Sequence, residues 1–247
     1  MSARGEICPA VHTGTKDRSA GVTLAVHDLS LRYGQGEWLF EGVNFSVNPG
    51  QLVALAGPSG SGKTSLMRCL AGALSPTSGC VRYHRPDGRA VAPSAMGPAL
   101  GVVFQNLRLT GAATAIDNVC FARLGRQPFY RTLFGFSRRD REGAYAELCA
   151  LGLCHMARAP ISRLSGGERQ RVAVARALFQ EAKVILADEP VASLDRPNAE
   201  RCLACLRQRC RKDGISVLVV LHDEDLIERF ADDVVRLEPR AELSAAV

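Results

Sequence analysis

Ala56-Gly57-Pro58-Ser59-Gly60-Ser61-Gly62-Lys63-Thr64-Ser65 is the stretch on which the fold turns. From Gly57 to Thr64 it reads G-x-x-x-x-G-K-[ST], the pattern of a phosphate-binding P-loop. The apolar run Leu52-Val53-Ala54-Leu55-Ala56 before it predicts a buried strand, and Leu66-Met67-Arg68-Cys69-Leu70 after it predicts a helix. Backbone N–H groups of a glycine-rich turn at a helix N-terminus form an anion site. Gly57, Pro58, Ser59, Gly60, Ser61, Gly62, Lys63, Thr64 and Ser65 are therefore candidate phosphate-binding residues. Lys63 is placed to reach β/γ-phosphates, and the Thr64 hydroxyl to ligate Mg²⁺.

Before the P-loop, Val22, Leu24, Val26, Leu29 and Leu31 predict a first strand, and Leu39 to Val47 a second. Tyr33 lies at the end of the first strand. It is either a stacking platform for an adenine ring or one more strand aromatic. Cys80 to Tyr83 predicts a short strand, and the Pro- and Gly-rich residues from Arg85 to Pro98 a loop. Leu100 to Phe104 predicts another strand ending at Gln105, which taken alone is a plain loop residue. From Ala112 to about Gly152 the pattern turns helical, with breaks at Pro128 and Gly135; Ala144, Leu148 and Leu151 mark one amphipathic helix.

Leu164-Ser165-Gly166-Gly167-Glu168 precedes a predicted helix from Val172 to Phe179. Ser-Gly-Gly at a helix start is a second anion site by the same physics as the P-loop; Ser165 alone reads as an N-cap. A second cradle without a second lysine makes sense if it serves a nucleotide held by another copy. Val184 to Ala187 predicts a buried strand ending in Asp188 and Glu189. Beside a P-loop, such an aspartate supports Mg²⁺ and the glutamate can polarise an attacking water. A helix follows Ser193-Leu194-Asp195 and ends near Gly214. Ser216 to Leu221 predicts a strand tipped by His222, and Val234 to Leu237 a last one.

Composition narrows the classes. The chain has 247 residues, 47% hydrophobic and 23% charged, with a net charge of +6. No apolar run reaches the length of about 18 residues that a membrane helix needs. The excess positive charge is local. Six arginines and one acid, Asp140, lie between Phe121 and Arg141. A nucleic-acid binder spreads its charge over a larger face, so no nucleic-acid partner is expected. The segment, with Phe129, Tyr130, Phe134 and Phe136 interleaved, is either a docking surface or a solvated charged face. Residues 1–20 carry no apolar export-type stretch and are expected to be a disordered leader, with 241–247 a loose tail. Without an export signal, the nine cysteines are expected to be reduced. Cys202-x-x-Cys205 with Cys210 fits an ordinary helix better than a metal site.

In order and spacing, the P-loop, Gln105, Leu164 to Arg171, Val184 to Glu189, Ser193 to Asp195 and His222 resemble the motif set of ATP-binding-cassette ATPases. The resemblance covers about Val22 to Leu237. It implies an α/β fold: a P-loop NTPase (RecA-like) core, an antiparallel β subdomain, and an inserted α-helical lobe at about 106–163 within a domain spanning 21–240. It also implies a head-to-tail dimer, with each ATP held between one P-loop and the other copy's Ser165-Gly166-Gly167. By the same resemblance Tyr33 stacks on adenine, and Thr64, Gln105 and Asp188 attend Mg²⁺. Glu189 is the general base, Gln105 and His222 sense the γ-phosphate, and Asp195 couples the two sites. Arg123 to Phe136 and Ala187 to Asp195 look like segments in ATPase subunits of phosphonate importers. Implied partners are a second ATP-binding subunit, transmembrane permease subunits and, indirectly, a substrate-binding protein. The implied location is the cytoplasmic side of a membrane. Export-type, lipoprotein-release and non-transport members of the same family are the alternatives.

Overall fold

The computed structural model describes residues 21–126 and 135–238. The expected leader and tail lie outside them, as do Phe129, Tyr130, Phe134 and most of the phosphonate-importer-like segment.

Two sheets form the fold. Strands β1 (Thr23–Arg32), β2 (Trp38–Val47), β4 (Ser78–His84) and β5 (Ala90–Val91) make an antiparallel sheet in the order β2-β1-β4-β5. A parallel sheet in the order β6-β7-β8-β3-β9 contains β3 (Leu52–Ala56), β6 (Leu100–Val103), β7 (Val184–Ala187), β8 (Ser216–Val220) and β9 (Asp233–Arg236). The three central strands β3, β7 and β8 are buried along their whole length. Parallel strands covered on both faces read as unbroken apolar runs, which is why these three show so plainly in the sequence.

The pleat divides the core in two. Leu52, Ala54 and Ala56 of β3 face a helical cluster with Leu148, Val172, Leu203 and Leu206. Val53 and Leu55 face the opposite cluster with Leu24, Leu29, Leu66, Leu70 and Tyr83, which joins the antiparallel sheet to the parallel one. Alternation of side chains along a strand produces this division. Tyr83 is fully buried and its hydroxyl donates to the carbonyl of Leu70 at 2.8 Å.

The helices are α1 (Lys63–Leu70), α2 (Ala115–Cys120), α3 (Arg138–Ala150), α4 (Gly166–Phe179), α5 (Arg196–Asp213) and α6 (Glu224–Phe230). Helices α2, α3 and α4 pack on one another. Pro197 sits in the first turn of α5, and Gly214, with φ +64, caps its end. None of the described helices is long and apolar enough to cross a membrane.

Three local expectations need correction. The stretch from Arg85 to Pro98 is not all loop: Ala90 and Val91 pair with His84 and Tyr83, and two short 3₁₀ turns follow. Helix α4 has Ser165 as its N-cap, as expected, but runs unbroken from Gly166, six residues before Val172. Ser165 and Glu168 form a reciprocal capping box that offsets the weak helix propensity of the two glycines. Not all cysteines are reduced: Cys149 and Cys154 are joined. Helix α3 ends in a Schellman turn, with the N–H of Gly152 on the carbonyl of Cys149 and that of Leu153 on Leu148. With Gly152 at φ +74 the chain doubles back, and the two Cα atoms come within 4.4 Å. Cys202 and Cys210 lie buried on α5, where burial pushes both thiols up to about 12.

Candidate nucleotide site

Parallel register brings the distant motifs together. Val103 pairs with Ala187, Ala187 with Val219, and Leu55 with Val220. The C-terminal tips of β3, β6, β7 and β8 therefore share one edge. Gln105 follows β6, Asp188 and Glu189 follow β7, His222 follows β8, and the P-loop follows β3. Open parallel sheets bind ligands at this edge.

The loop from Gly57 to Gly62 reaches α1 through three glycines with positive φ: Gly57 (+148), Gly60 (+83) and Gly62 (+92). Gly62 is the N-cap and supplies no side chain, so the first N–H groups of α1 stay open to an anion. No acidic residue stands in that first turn. Lys63 is 6% exposed, and its ammonium donates to the carbonyls of Gly57 at 2.8 Å and Pro58 at 2.7 Å. The charge is thus held against the loop it would neutralise a phosphate on.

An open cleft of about 430 Å³ is lined by Tyr33, Leu39, Ser59, Gly60, Gly62, Lys63, Thr64, Ser65, Gln105, Glu189 and His222. Tyr33 is 57% exposed at its mouth, with its hydroxyl 3.1 Å from the Ser65 Oγ. A second cavity of about 460 Å³, lined by residues that include Lys183, Arg209 and Asp213, lies at the opposite edge of the parallel sheet and contains none of the predicted groups.

Asp188 is 4% exposed and accepts a hydrogen bond from Thr64, yet its buried Oδ1 has no hydrogen-bond partner among the described residues. Burial raises its carboxyl above the usual range; the Thr64 bond opposes that shift and the Glu189 charge adds to it. A buried, incompletely paired carboxylate beside a hydroxyl is an oxygen donor set that fits a divalent cation such as Mg²⁺. Next to it Glu189 adopts φ +52, uncommon for a side chain with a Cβ. Its Oε1 lies 2.9 Å from the Nε2 of His222.

Ser165, Gly166, Gly167 and Asp195 stand apart from this cleft. Ser165 and Gly166 are exposed at the start of α4, while Leu164 is buried beneath them. Glu168 accepts from the Ser165 N–H at 2.7 Å, and that bond is the main cause that holds its carboxyl below the usual range. A Cβ on Gly167 would stand 2.9 Å from Leu194 Cδ2 and 3.2 Å from the carbonyl of Ser193, so glycine lets the 193–195 turn approach the helix. Asp195 is exposed and accepts from Asn198 at 2.6 Å.

Sequence reasoning gave no role to three further side chains of α4. Gln170 bonds the backbone of Glu189 and Ser193. Arg171 bonds Leu151 and Asn198. Arg176 donates to the carbonyls of Leu107 and Arg108, two consecutive residues with positive φ just after Gln105. All three act largely on backbone atoms, which carry no sequence signal.

This arrangement of loop, strand tips and buried carboxylate puts the chain among the P-loop NTPases. A finer class comes from comparison. The family model described as ABC transporter matches residues 40–192, and the chain belongs to that family. Membership makes it an ATP-hydrolysing component coupled to transport. It is 38% identical over 223 residues to the "Phosphonates import ATP-binding protein PhnC" of Escherichia coli O157:H7, covering 87% of this chain and 85% of that one. A bacterial ABC transporter cassette solved as a dimer is similar in structure, with a TM-score of 0.74 and 28% identity over 87% of this chain and 94% of that one. The same cassette, solved as a dimer bound to ADP and Pi, gives a TM-score of 0.74 at 28% identity, covering 88% of this chain and 96% of that one.

Proposed function

We propose that this chain is the ATP-binding and ATP-hydrolysing subunit of an importer for phosphonates or a related phosphorus oxyanion. The 38% identity to a phosphonate-import ATP-binding protein, across most of both chains, carries the reading of the cargo. The cleft supports the chemistry.

In this reading Tyr33 stacks on adenine, the 57–62 loop and the first N–H groups of α1 hold the phosphates, and Lys63 turns from the loop carbonyls to the β/γ-phosphates. Thr64 and Asp188, with Gln105 nearby, would hold Mg²⁺, which when bound neutralises charge on the phosphate oxygens. Glu189 accepts a proton from the attacking water. His222 keeps the Glu189 carboxylate oriented through their 2.9 Å contact and lies within reach of the terminal phosphate. Phosphoryl transfer needs little more than positioning and charge neutralisation, and these groups supply both.

Ser165 and Gly167 stand outside the cleft of their own chain. A head-to-tail pair, in which each copy presents that segment to the other's nucleotide, gives them a ligand; Asp195, exposed beside them, would link the two sites. Membrane permease subunits would dock on the helical lobe at the cytoplasmic face, with a substrate-binding protein delivering the cargo.

Growth of the host on methylphosphonate as sole phosphorus source tests the cargo. Loss of the gene should abolish growth on methylphosphonate and spare growth on phosphate, with rescue by the wild-type chain and not by Glu189→Gln. Unimpaired growth without the gene would remove the phosphonate assignment.

A further inference from the structure

We propose that Gln170 is a positioning residue for hydrolysis: its amide fixes the backbone that carries Glu189. This rests on the reading of Glu189 as general base.

Glu189 has φ +52, a conformation that side chains with a Cβ avoid and that persists only when surrounding structure over-determines it. The Gln170 amide bridges the two ends of the turn that begins there. Its Nε2 donates to the carbonyl of Glu189 at 2.8 Å, and its Oε1 accepts from the N–H of Ser193 at 3.1 Å. The side chain is 7% exposed, so water does not compete freely for either bond. Only one orientation of the amide satisfies both partners, because the carbonyl needs a donor and the N–H an acceptor. No other side-chain type of that length provides both: glutamate when ionised has no donor, and methionine has neither.

The bridge also has an origin that matters. Gln170 projects from α4, whose first turn contains Ser165, Gly166 and Gly167. It lies five residues beyond Ser165, about 7.5 Å along one rigid helix. The helix that presents the Ser-Gly-Gly segment therefore holds both the general base's backbone and, through Ser193, the turn leading to Asp195. A group that orients the base without touching substrate should act on kcat and leave nucleotide binding alone.

The test uses the purified full chain and its ATPase activity. Gln170→Met keeps the length and removes both bonds. Gln170→Glu keeps the acceptor for Ser193 and removes the donor for Glu189. Each should lower kcat on the order of 100-fold, the scale at which a small misplacement acts, while KM and Kd for ATP stay within about twofold. Melting temperature should stay within about 3 °C of wild type, corresponding to about 1 kcal/mol. Combined with Glu189→Gln, Gln170→Met should add less than about twofold further loss, because both act through one group.

Wild-type kcat in either folded Gln170 variant overturns the proposal, as do multiplying losses in the double variant. So does a large fall in melting temperature in both variants, which would make the residue simply structural. The reading beneath it fails differently: Glu189→Gln alone would then turn over at near the wild-type rate. Glu189→Gln inactive with Gln170→Met active leaves the base in place and removes only the role of Gln170.

Discussion

Replacing Gly57 with alanine tests whether the first glycine of the P-loop is there for close approach or only for flexibility. Gly57 has φ +148, and a Cβ built on it stands 2.4 Å from the carbonyl oxygen of Leu237. An ordinary carbon-to-oxygen contact is about 3.3 Å, so about 0.9 Å must be found. Neither side yields readily. Leu237 is buried, and its N–H donates at 2.8 Å to the carbonyl of Ala56, the last residue of β3. The backbone conformation costs about 1–2 kcal/mol for alanine, and moving packed backbone about another 1–3. If the Leu237 to Ala56 bond breaks, about 1 kcal/mol more is lost. With that bond broken the sum, about 3–6 kcal/mol, should lower the melting temperature by roughly 10–20 °C in a domain of this size. Gly60→Ala is the control. Gly60 has φ +83 but, its chain neighbours aside, no atom of the described residues within 4 Å of its Cβ position, so only the conformational cost applies, about 1 kcal/mol or roughly 3 °C. Thermal melts of the nucleotide-free chain by circular dichroism measure both. Equal losses for the two variants would refute the close-approach argument, since they share the positive φ and differ in the neighbour.

Two other outcomes follow, one at the P-loop and one at the start of α4. Lys63→Ala removes the only charge held against the loop carbonyls of Gly57 and Pro58 among the described hydrogen bonds, and should weaken ATP binding by at least about tenfold, read by titration calorimetry; unchanged affinity would count against its phosphate role. Glu168 has a carboxyl held below its ordinary value mainly by the Ser165 N–H, so its charge stabilises the folded chain at neutral pH. That contribution should be lost as pH falls below the ordinary carboxylate range through the lowered folded value. Glu168→Gln imitates the protonated acid. It should therefore melt about 1–3 °C below wild type at pH 7 and converge with it as pH falls below the ordinary carboxylate range, and a gap independent of pH would rule out the charge as its cause.

What could be read from the sequence depended on where the partners of each residue lie. Runs such as Leu52 to Ala56 and Val184 to Ala187 are buried on both faces, so composition alone marked them as strands. Their tips carried Glu189 and His222 into one cleft, with Asp188 buried beside Glu189, because parallel pairing leaves little freedom of register. Ala90 and Val91 were missed because a two-residue strand has too few side chains to show alternation. Ser165 shows as an N-cap, but the apolar helical pattern becomes visible only from Val172, because two glycines lower propensity and the Ser165–Glu168 box that restores it acts through hydrogen bonds. The Cys149–Cys154 pair depends on the turn at Gly152, and the compartment argument from composition pointed the other way.

The bonds of α4 show why its residues matter beyond the segment at its tip. Gln170 holds the turn after β7, Arg176 holds the turn after β6, and Arg171 holds the end of α3 together with Asn198 of α5. Asn198 in turn donates to Asp195. Every one of these bonds lies between 2.6 and 3.1 Å. Hydrogen bonds weaken steeply once stretched by about half an ångström. A helix of fourteen residues with a capped start moves as one body, so it cannot shift by an ångström against one loop while keeping its bonds to the others. A load placed on Ser165 would therefore reach Glu189, the residues after Gln105 and Asp195 through contacts already made. The strained backbones at Glu189, Leu107 and Arg108 are the places where such a shift would be felt first, since each is held in its conformation by a bond from this helix.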